Sequence, residues 1–565
     1  MTIFSFLLVS TSALLLAACT PVEEVPDSNR AVFNWFEYEG KDAVFDAPLA
    51  EGQFQNPILA GFYPDPSITR AGDDFYLVTS SFSFYPGVPI FHSTDLVNWR
   101  QLGHVLTRPE QLELHGAGVS RGIFAPTIRY HDGTFYMITT LIDTGGNFLV
   151  MAENPSGPWS DPVWLPEIQG IDPDIFFDDD GRVYIAHNGE PEGEPLYDGH
   201  RAIWLWEYNP ETQSVIKDSG RVIVNGGVDI SQHPVWIEAP HIFKKDGWYY
   251  LSCAEGGTAI NHSQVIFRTR SLEEAFIPYE NNPILTQRDL AADRPNPITT
   301  TGHADMIQTP AGEWWAVFLG VRTYDQTLFN TGRETFLLPV TWKDEWPHIL
   351  PPGEQVPYRL TKPANLPATS NADVLTGNFI WRDSFDGDEL SPRWNLLRTG
   401  DKIWYSFTEE PGAMSLTPLP VSLSDFAQPA LLAHRQQHTK FEAATELELP
   451  LGESYSAGLT VFQNETYHYY FSVTRTGENH RLSLERARDS QPEIIESRVL
   501  DANADKLVLG TEGDAGNISF YYRVDSGERH YLTRKLDARM LSTEVAGGFV
   551  GTYIGIHARQ EETVK

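Results

Sequence analysis

Cysteine is almost absent from this chain: 2 among 565 residues, Cys19 and Cys253. That excludes a disulfide-stapled scaffold, and Cys253, within Tyr249-Tyr250-Leu251-Ser252-Cys253, reads as a buried strand residue. Positive charge is scarce as well: 41 Lys+Arg stand against 76 Asp+Glu, a formal net charge of -35. A nucleic-acid binder needs a basic footprint, so that class of partner is excluded, while a neutral polysaccharide remains allowed. Apolar runs of membrane-spanning length are missing too; Phe4–Leu16 has only the length of a signal-peptide core. Between about residues 50 and 350 helical periodicity is nearly absent, and short apolar or aromatic runs alternate with Gly, Asp, Asn and Pro. That is the pattern of an all-β protein.

The apolar run ends in Leu16-Ala17-Ala18-Cys19, which resembles a bacterial lipobox, although no Lys or Arg precedes it. The expectation is a lipoprotein-type signal over residues 1–19, lipidation at Cys19, and an acidic tether over 20–50. The protein would then be exported, periplasmic or anchored in the outer membrane, and would touch membrane only through its lipid.

A repeat organises the chain beyond the tether. Asp65-Pro66-Ser67-Ile68, Ala125-Pro126-Thr127-Ile128, Asp172-Pro173-Asp174-Ile175, Ala239-Pro240-His241-Ile242 and His303-Ala304-Asp305-Met306 share one design, at spacings of 47 to 67 residues. Each is followed by a turn and an aromatic–aliphatic strand, such as Phe75-Tyr76-Leu77-Val78 or Trp314-Trp315-Ala316-Val317. Five such units predict a five-bladed β-propeller over residues 51–355. The fourth repeat position is always Ile or Met and should pack between blades. The third is always polar and should face a wet central channel, on the same side as the first. A Pro- and Asn-bearing linker over 356–378 precedes a second β-rich region, 379–565, whose alternating strands suggest a β-sandwich.

The repeat also gathers carboxylates. Asp65 and Asp172 hold the first position in blades one and three, and Glu238 stands one residue before it in blade four. Taken singly an Asp-Pro is usually a turn device; the common register brings the three to one mouth of the channel. Two such carboxyl groups are the equipment for cleaving a glycosidic bond, one protonating the leaving oxygen and one activating water. Asp174 is a rival to Asp172, but it aligns with the deeper Ser67 and Thr127. Asp178-Asp179-Asp180-Gly181 reads as a hairpin turn, and no metal ligand set is assigned there.

The string Asn56-Pro57-Ile58-Leu59-Ala60-Gly61-Phe62-Tyr63-Pro64-Asp65-Pro66-Ser67-Ile68 resembles the opening of glycoside hydrolase family 43, in its β-xylosidase and α-L-arabinofuranosidase branch. Ala254-Glu255-Gly256-Gly257-Thr258, Gly332-Arg333-Glu334-Thr335, Ser384-Phe385-Asp386-Gly387 and Arg435-Gln436-Gln437-His438 extend the resemblance into the second region. The resemblance implies a concanavalin-like sandwich and an inverting mechanism. Asp65 would be the general base, Glu238 the general acid, and Asp172 the carboxylate that tunes and orients the acid. It implies substrate contacts from Arg333, His303, Phe82, Phe124 and Thr258, with Phe124 departing from the Trp usual at that place. No cofactor is required by this reading. A structural calcium near the channel centre and homo-oligomerisation are left open. The implied activity is an exo-glycosidase releasing xylose, and arabinose too, from xylo-oligosaccharides or arabinoxylan fragments. A strict α-L-arabinofuranosidase or arabinan-active enzyme is the nearest alternative, and a non-catalytic carbohydrate-binding surface lipoprotein is the alternative of another class.

Overall fold

The computed structural model describes residues 30–400, 402–489, 491–500 and 506–561. Cys19, the signal 1–19 and residues 20–29 lie outside the described residues. Five antiparallel sheets succeed one another along the chain. Each begins at a repeat: Ser67–Ala71, Thr127–His131, Ile171–Phe177, Glu238–Lys245 and Ile298–Gln308 are the innermost strands. Blades 1, 2 and 5 have four strands, and blades 3 and 4 split their outermost strand in two.

The fourth repeat positions do what their chemistry requires. Ile128, Ile175, Ile242 and Met306 are buried in four separate apolar cores, and Ile68 in a fifth that also holds Trp315, Val317 and Leu337 of blade 5. That fifth core closes the ring, helped by Leu59, which bridges to Thr335. Cys253 is buried in the blade 3–4 core as an unreactive thiol.

The third positions behave differently from a wet channel lining. Ser67 Oγ accepts the N–H of Ile128 at 3.1 Å, Asp174 that of Ile242 at 2.9 Å and Asp305 that of Ile68 at 3.0 Å. The polar side chain of one blade thus satisfies a backbone donor of the next, which a buried strand edge needs. Polarity at this position stitches neighbouring blades together.

The second domain is a sandwich of two sheets around one core containing Phe36, Trp394, Leu447, Phe471, Leu509 and Ile554. One expectation fails here. Residues 31–40, read as tether, are a ten-residue strand that pairs with Lys440–Glu448 inside a sandwich sheet. Its alternation is broken by a register shift between Phe33 and Trp35. That shift hides the inward set Phe33, Phe36 and Tyr38 from a period-two reading. The segment expected as a linker is likewise packed down: Arg359–Thr361 pairs with Gln53–Gln55, and Leu375 is buried in the core that closes the propeller.

The two domains are fused. Phe84–Tyr85, from blade 1, adds to the edge of a sandwich sheet beside Asn395–Leu397. Arg322 donates to Glu334 (2.7 Å) in the propeller, to Asp42 (2.6 Å) and to the Gln437 carbonyl (2.7 Å) in the sandwich. At Gly332 the φ is +75°, and a Cβ would lie 2.8 Å from the Cα of Gly551, so the two backbones touch beside Arg333.

Candidate active site

The inner strands carry a repeated irregularity at the channel mouth. The first repeat position is left-handed in four blades: Asp65 (φ 53°), Asp172 (55°), Ala239 (51°) and His303 (53°). Blades 3, 4 and 5 show a register shift at this point. Such a conformation costs a non-glycine residue about 1–3 kcal/mol, and it re-aims side chains that a regular strand would point elsewhere. Asp65, Asp172, Glu238, Arg333, His303, Phe82, Phe124 and Thr258 all line a single cavity of about 800 Å³. The expected catalytic and substrate-contacting residues are therefore in one place, Thr258 on the exposed rim and the carboxylates buried.

The three carboxylates have different surroundings. Asp65 accepts hydrogen bonds from Arg333 Nη1 and Ser80 Oγ, each at 2.5 Å, and His303 Nδ1 stands 3.7 Å away. Burial pushes its carboxyl up, but the Arg333 charge, His303 and the Ser80 hydrogen bond outweigh it and hold Asp65 below the usual carboxylate range. At Glu238 the balance is reversed, because Arg333 and Arg201 favour its charged form too weakly. Burial first, then the charges of Asp172 and Asp65, push it well above its ordinary value. Asp172 is raised to about 7 by burial and by Asp65, against the Ala239 N–H that it accepts at 3.2 Å. The Asp172–Glu238 pair thus retains a proton that isolated carboxyls lose, and the backbone donor on Asp172 favours placing it on Glu238.

Arg333 is not paired with Glu334, whose carboxylate is taken by Arg322. Its guanidinium lies 5.7 Å from the Phe82 ring and 5.9 Å from that of Phe549. Phe549 comes from the sandwich, stacks on Phe82 at 5.9 Å, and its N–H donates to Ser120 Oγ at 2.9 Å. Together with Phe124, 5.3 Å from Phe82, these rings form an apolar wall built by both domains.

Beneath the carboxylates the channel is filled. Arg129 forms ion pairs with Asp305 at 2.7 Å and Asp174 at 3.0 Å, and it lies 3.1 Å from His241 Nδ1. Asp174 is therefore committed to Arg129 and to blade stitching, whereas Asp172 lines the cavity. The same observation bears on calcium. The acidic oxygens at the channel centre already surround a fixed cation, and a divalent ion beside a guanidinium would meet repulsion. The residues present do not fit that metal. Asp178–Gly181 closes a turn by a backbone bond of 3.1 Å, and Asp178 holds Lys244 at 2.7 Å.

Sequence reasoning missed Arg129, Arg201, Trp204, Trp206 and Trp236. Arg129 follows Ile128, at a fifth repeat position that shows no pattern. Trp204 and Trp206 alternate on one face of Ala202–Asn209, a signal that was available, and both line the cavity.

Residues 54–347 match the glycosyl hydrolases family 43, and residues 382–565 match the beta xylosidase C-terminal concanavalin A-like domain. A xylosidase/arabinosidase of Butyrivibrio fibrisolvens is 38% identical over 89% of this chain and 95% of its own length. A non-reducing end alpha-L-arabinofuranosidase of Bacteroides ovatus is 35% identical, covering 90% of this chain and 92% of that one. Among solved structures, a family 43 enzyme from a capybara gut metagenome superposes with a TM-score of 0.88 at 41% identity, over 94% of this chain and 99% of that one. The xylan beta-1,4-xylosidase of Bacillus halodurans gives 0.80 at 31% identity, over 91% and 98%. With a five-bladed propeller, a fused concanavalin-like sandwich and three carboxylates at one mouth, the chain is a glycoside hydrolase and belongs to family 43.

Proposed function

We propose that the protein is an inverting exo-glycosidase that removes a terminal xylose, and arabinose too, from xylo-oligosaccharides or arabinoxylan fragments. The observation that carries the mechanism is the opposed electrostatics of Asp65 and Glu238. Asp65, held ionised by Arg333 and Ser80, takes a proton from water as its oxygen attacks the anomeric carbon. Glu238, kept protonated by burial and by Asp172, delivers its proton to the glycosidic oxygen as the C–O bond breaks. Asp172 tunes that acid, and Arg333 and His303 contact the sugar beside Asp65. Phe82, Phe124 and Phe549 enclose the terminal sugar, which suits cleavage from a chain end.

The sugar assignment rests on relatives described as xylosidase/arabinosidase. One relative described as an arabinofuranosidase favours the second reading, a strict α-L-arabinofuranosidase. A purely binding role has no need of two carboxyl groups with opposed proton affinities. Assay of the purified protein on 4-nitrophenyl β-xyloside, 4-nitrophenyl α-arabinofuranoside, xylobiose and arabinan decides. Release of xylose from xylobiose is expected, and turnover of arabinosides alone would replace the proposal by the second reading. Export with lipidation at Cys19 belongs to the same proposal; a Cys19→Ser chain should lose lipid labelling and membrane association, and unchanged association would refute it.

A further inference from the structure

Buried arginines in this chain come with carboxylates, with one exception. Among the described residues four arginines are buried: Arg322, Arg333, Arg398 and Arg435. Arg322 is paired with Glu334 and Asp42, Arg333 with Asp65, and Arg398 with Glu465. Arg435, only 2% exposed, forms no ion pair among the described residues. Its Nε donates to the Phe62 carbonyl at 2.7 Å, while Nη1 and Nη2 find no acceptor there. A guanidinium does not shed its proton, so burial cannot neutralise it, and a buried charge needs a counter-charge. Acids are not scarce in a chain with 76 Asp+Glu, yet none has been placed at this arginine.

Arg435 lies in the seam between the two domains. Its strand, Ala430–Arg435, belongs to the sandwich and pairs Arg435 with Tyr553. The guanidinium carbon lies 4.3 Å from the ring centroid of Tyr63, in the propeller, and 5.6 Å from that of Tyr553. Two neighbouring buried groups are unpartnered as well: the Tyr553 hydroxyl, and Nε2 of His104 on the outermost strand of blade 1. Burial and the Arg435 charge lower His104 to about 3, so its ring is neutral. Burial raises Tyr553, so its phenol keeps its proton and is not the counter-charge. A second arginine deepens the imbalance. Arg393 acts with Arg435 on His434, and its own hydrogen bond goes to the Val374 carbonyl at 2.8 Å. The acid that acts on Arg393 is Asp373, whose carboxylate accepts the Gln101 N–H at 2.8 Å.

A water molecule can accept from the two N–H groups but brings no charge, whereas an anion does both. The Nη edge of a guanidinium offers two parallel donors to one ion. Tyr63, Tyr553 and His104 are all buried and set ring bodies around Arg435, which suits a small, weakly hydrated monoanion better than phosphate or a sugar acid. We propose that Arg435 Nη1 and Nη2 hold a buried halide, chloride under ordinary conditions, in the seam between propeller and sandwich, with the Tyr553 hydroxyl and the His104 ring beside it. Arg435 Nε holds the carbonyl of Phe62, three residues before Asp65, so the ion steadies the segment that carries the candidate base.

Two measurements on the intact wild-type chain test this. Crystals transferred from chloride to bromide should show an anomalous peak at the bromine edge in contact with Arg435 Nη1 and Nη2. No peak at Arg435 overturns the proposal. In solution, chloride is exchanged for methanesulfonate, too bulky for a closed site, at fixed ionic strength. The melting temperature should be higher by about 2 °C when chloride exceeds its dissociation constant about a hundredfold. A bromide peak without any chloride-dependent melting would mean binding at crystal concentration only, and would also overturn it. Arg435→Met keeps a long apolar stem and removes the charge, and its melting temperature should not respond to the exchange; an equal response would place the effect elsewhere and refute the site. Should that variant fail to fold, the two wild-type measurements still decide.

Discussion

Replacing Asp172 by Asn removes one negative charge from beside Glu238 while leaving an oxygen that accepts the Ala239 N–H, now 3.2 Å from Asp172. Two like charges about 4–6 Å apart at an effective dielectric constant near 20 repel by roughly 3–4 kcal/mol. At about 1.4 kcal/mol per pK unit, that is roughly two to three units. Arg333 and Arg201, which pull Glu238 the other way, stay in place. Asp172 also holds part of the shared proton in the wild type, which trims the expected effect to about one to two units. The sign is fixed: without the repulsion Glu238 gives up its proton at lower pH. The alkaline limb of kcat/KM on xylobiose should therefore move to lower pH by that amount. The acid limb, set by Asp65, should stay or move slightly down, because Asp65 loses a like charge as well. A natural sugar leaving group is essential to the assay, since an activated one needs little protonation. An alkaline limb that stays put, or moves up, would refute the assignment of Asp172 as the group that raises Glu238.

The same geometry has four further testable consequences. Asp65→Asn and Glu238→Gln should each lose about 10²–10⁴-fold in kcat on xylobiose; Glu238→Gln should keep its melting temperature and recover partly on aryl glycosides with good leaving groups, whereas Asp65→Asn leaves Arg333 buried without its carboxylate and should melt lower. Phe549→Ala should raise KM for xylobiose, because the wall around the terminal sugar is built by both domains; an unchanged KM would remove the sandwich from the site. A chain ending at residue 355 should be insoluble or inactive, since it loses the sandwich partners of Phe84–Tyr85 and the carbonyl that Arg322 contacts; an active, soluble propeller would count against this. Arg129→Ala should destabilise the fold by about 3–5 kcal/mol in denaturant melts by leaving Asp174 and Asp305 buried without their cation; EDTA should leave wild-type turnover unchanged, and loss of turnover on chelation would contradict the account of the channel centre.

The propeller was legible because its repeat carries two independent periodic signals, an apolar fourth position and a carboxylate-rich first position, across five units. The reason for the polar third position was not legible. Cross-blade bonds such as Ser67 to Ile128 join residues that only the closed ring brings together. The strand Ala31–Gly40 escaped because its bulge breaks the alternation and its partner lies some 400 residues away. Asp65, Asp172 and Glu238 could be found from register, but their opposed proton affinities come from Arg333, Ser80 and burial, which no local pattern displays. Arg129 illustrates the same limit: a single arginine after a strand isoleucine becomes the channel's cation only when blades 3 and 5 supply its carboxylates.

The central claim is that Asp65 activates water on the face of the sugar opposite Glu238. Inverting carboxyl pairs stand about 6.5–9.5 Å apart to admit that water, whereas retaining pairs stand about 5–5.5 Å apart and form a sugar ester. Proton NMR of the first product released from xylobiose, read before mutarotation, distinguishes the two. The account predicts that the newly released non-reducing sugar appears first as α-xylose; its initial appearance as β-xylose, or a sugar trapped as an ester on Asp65, would contradict it.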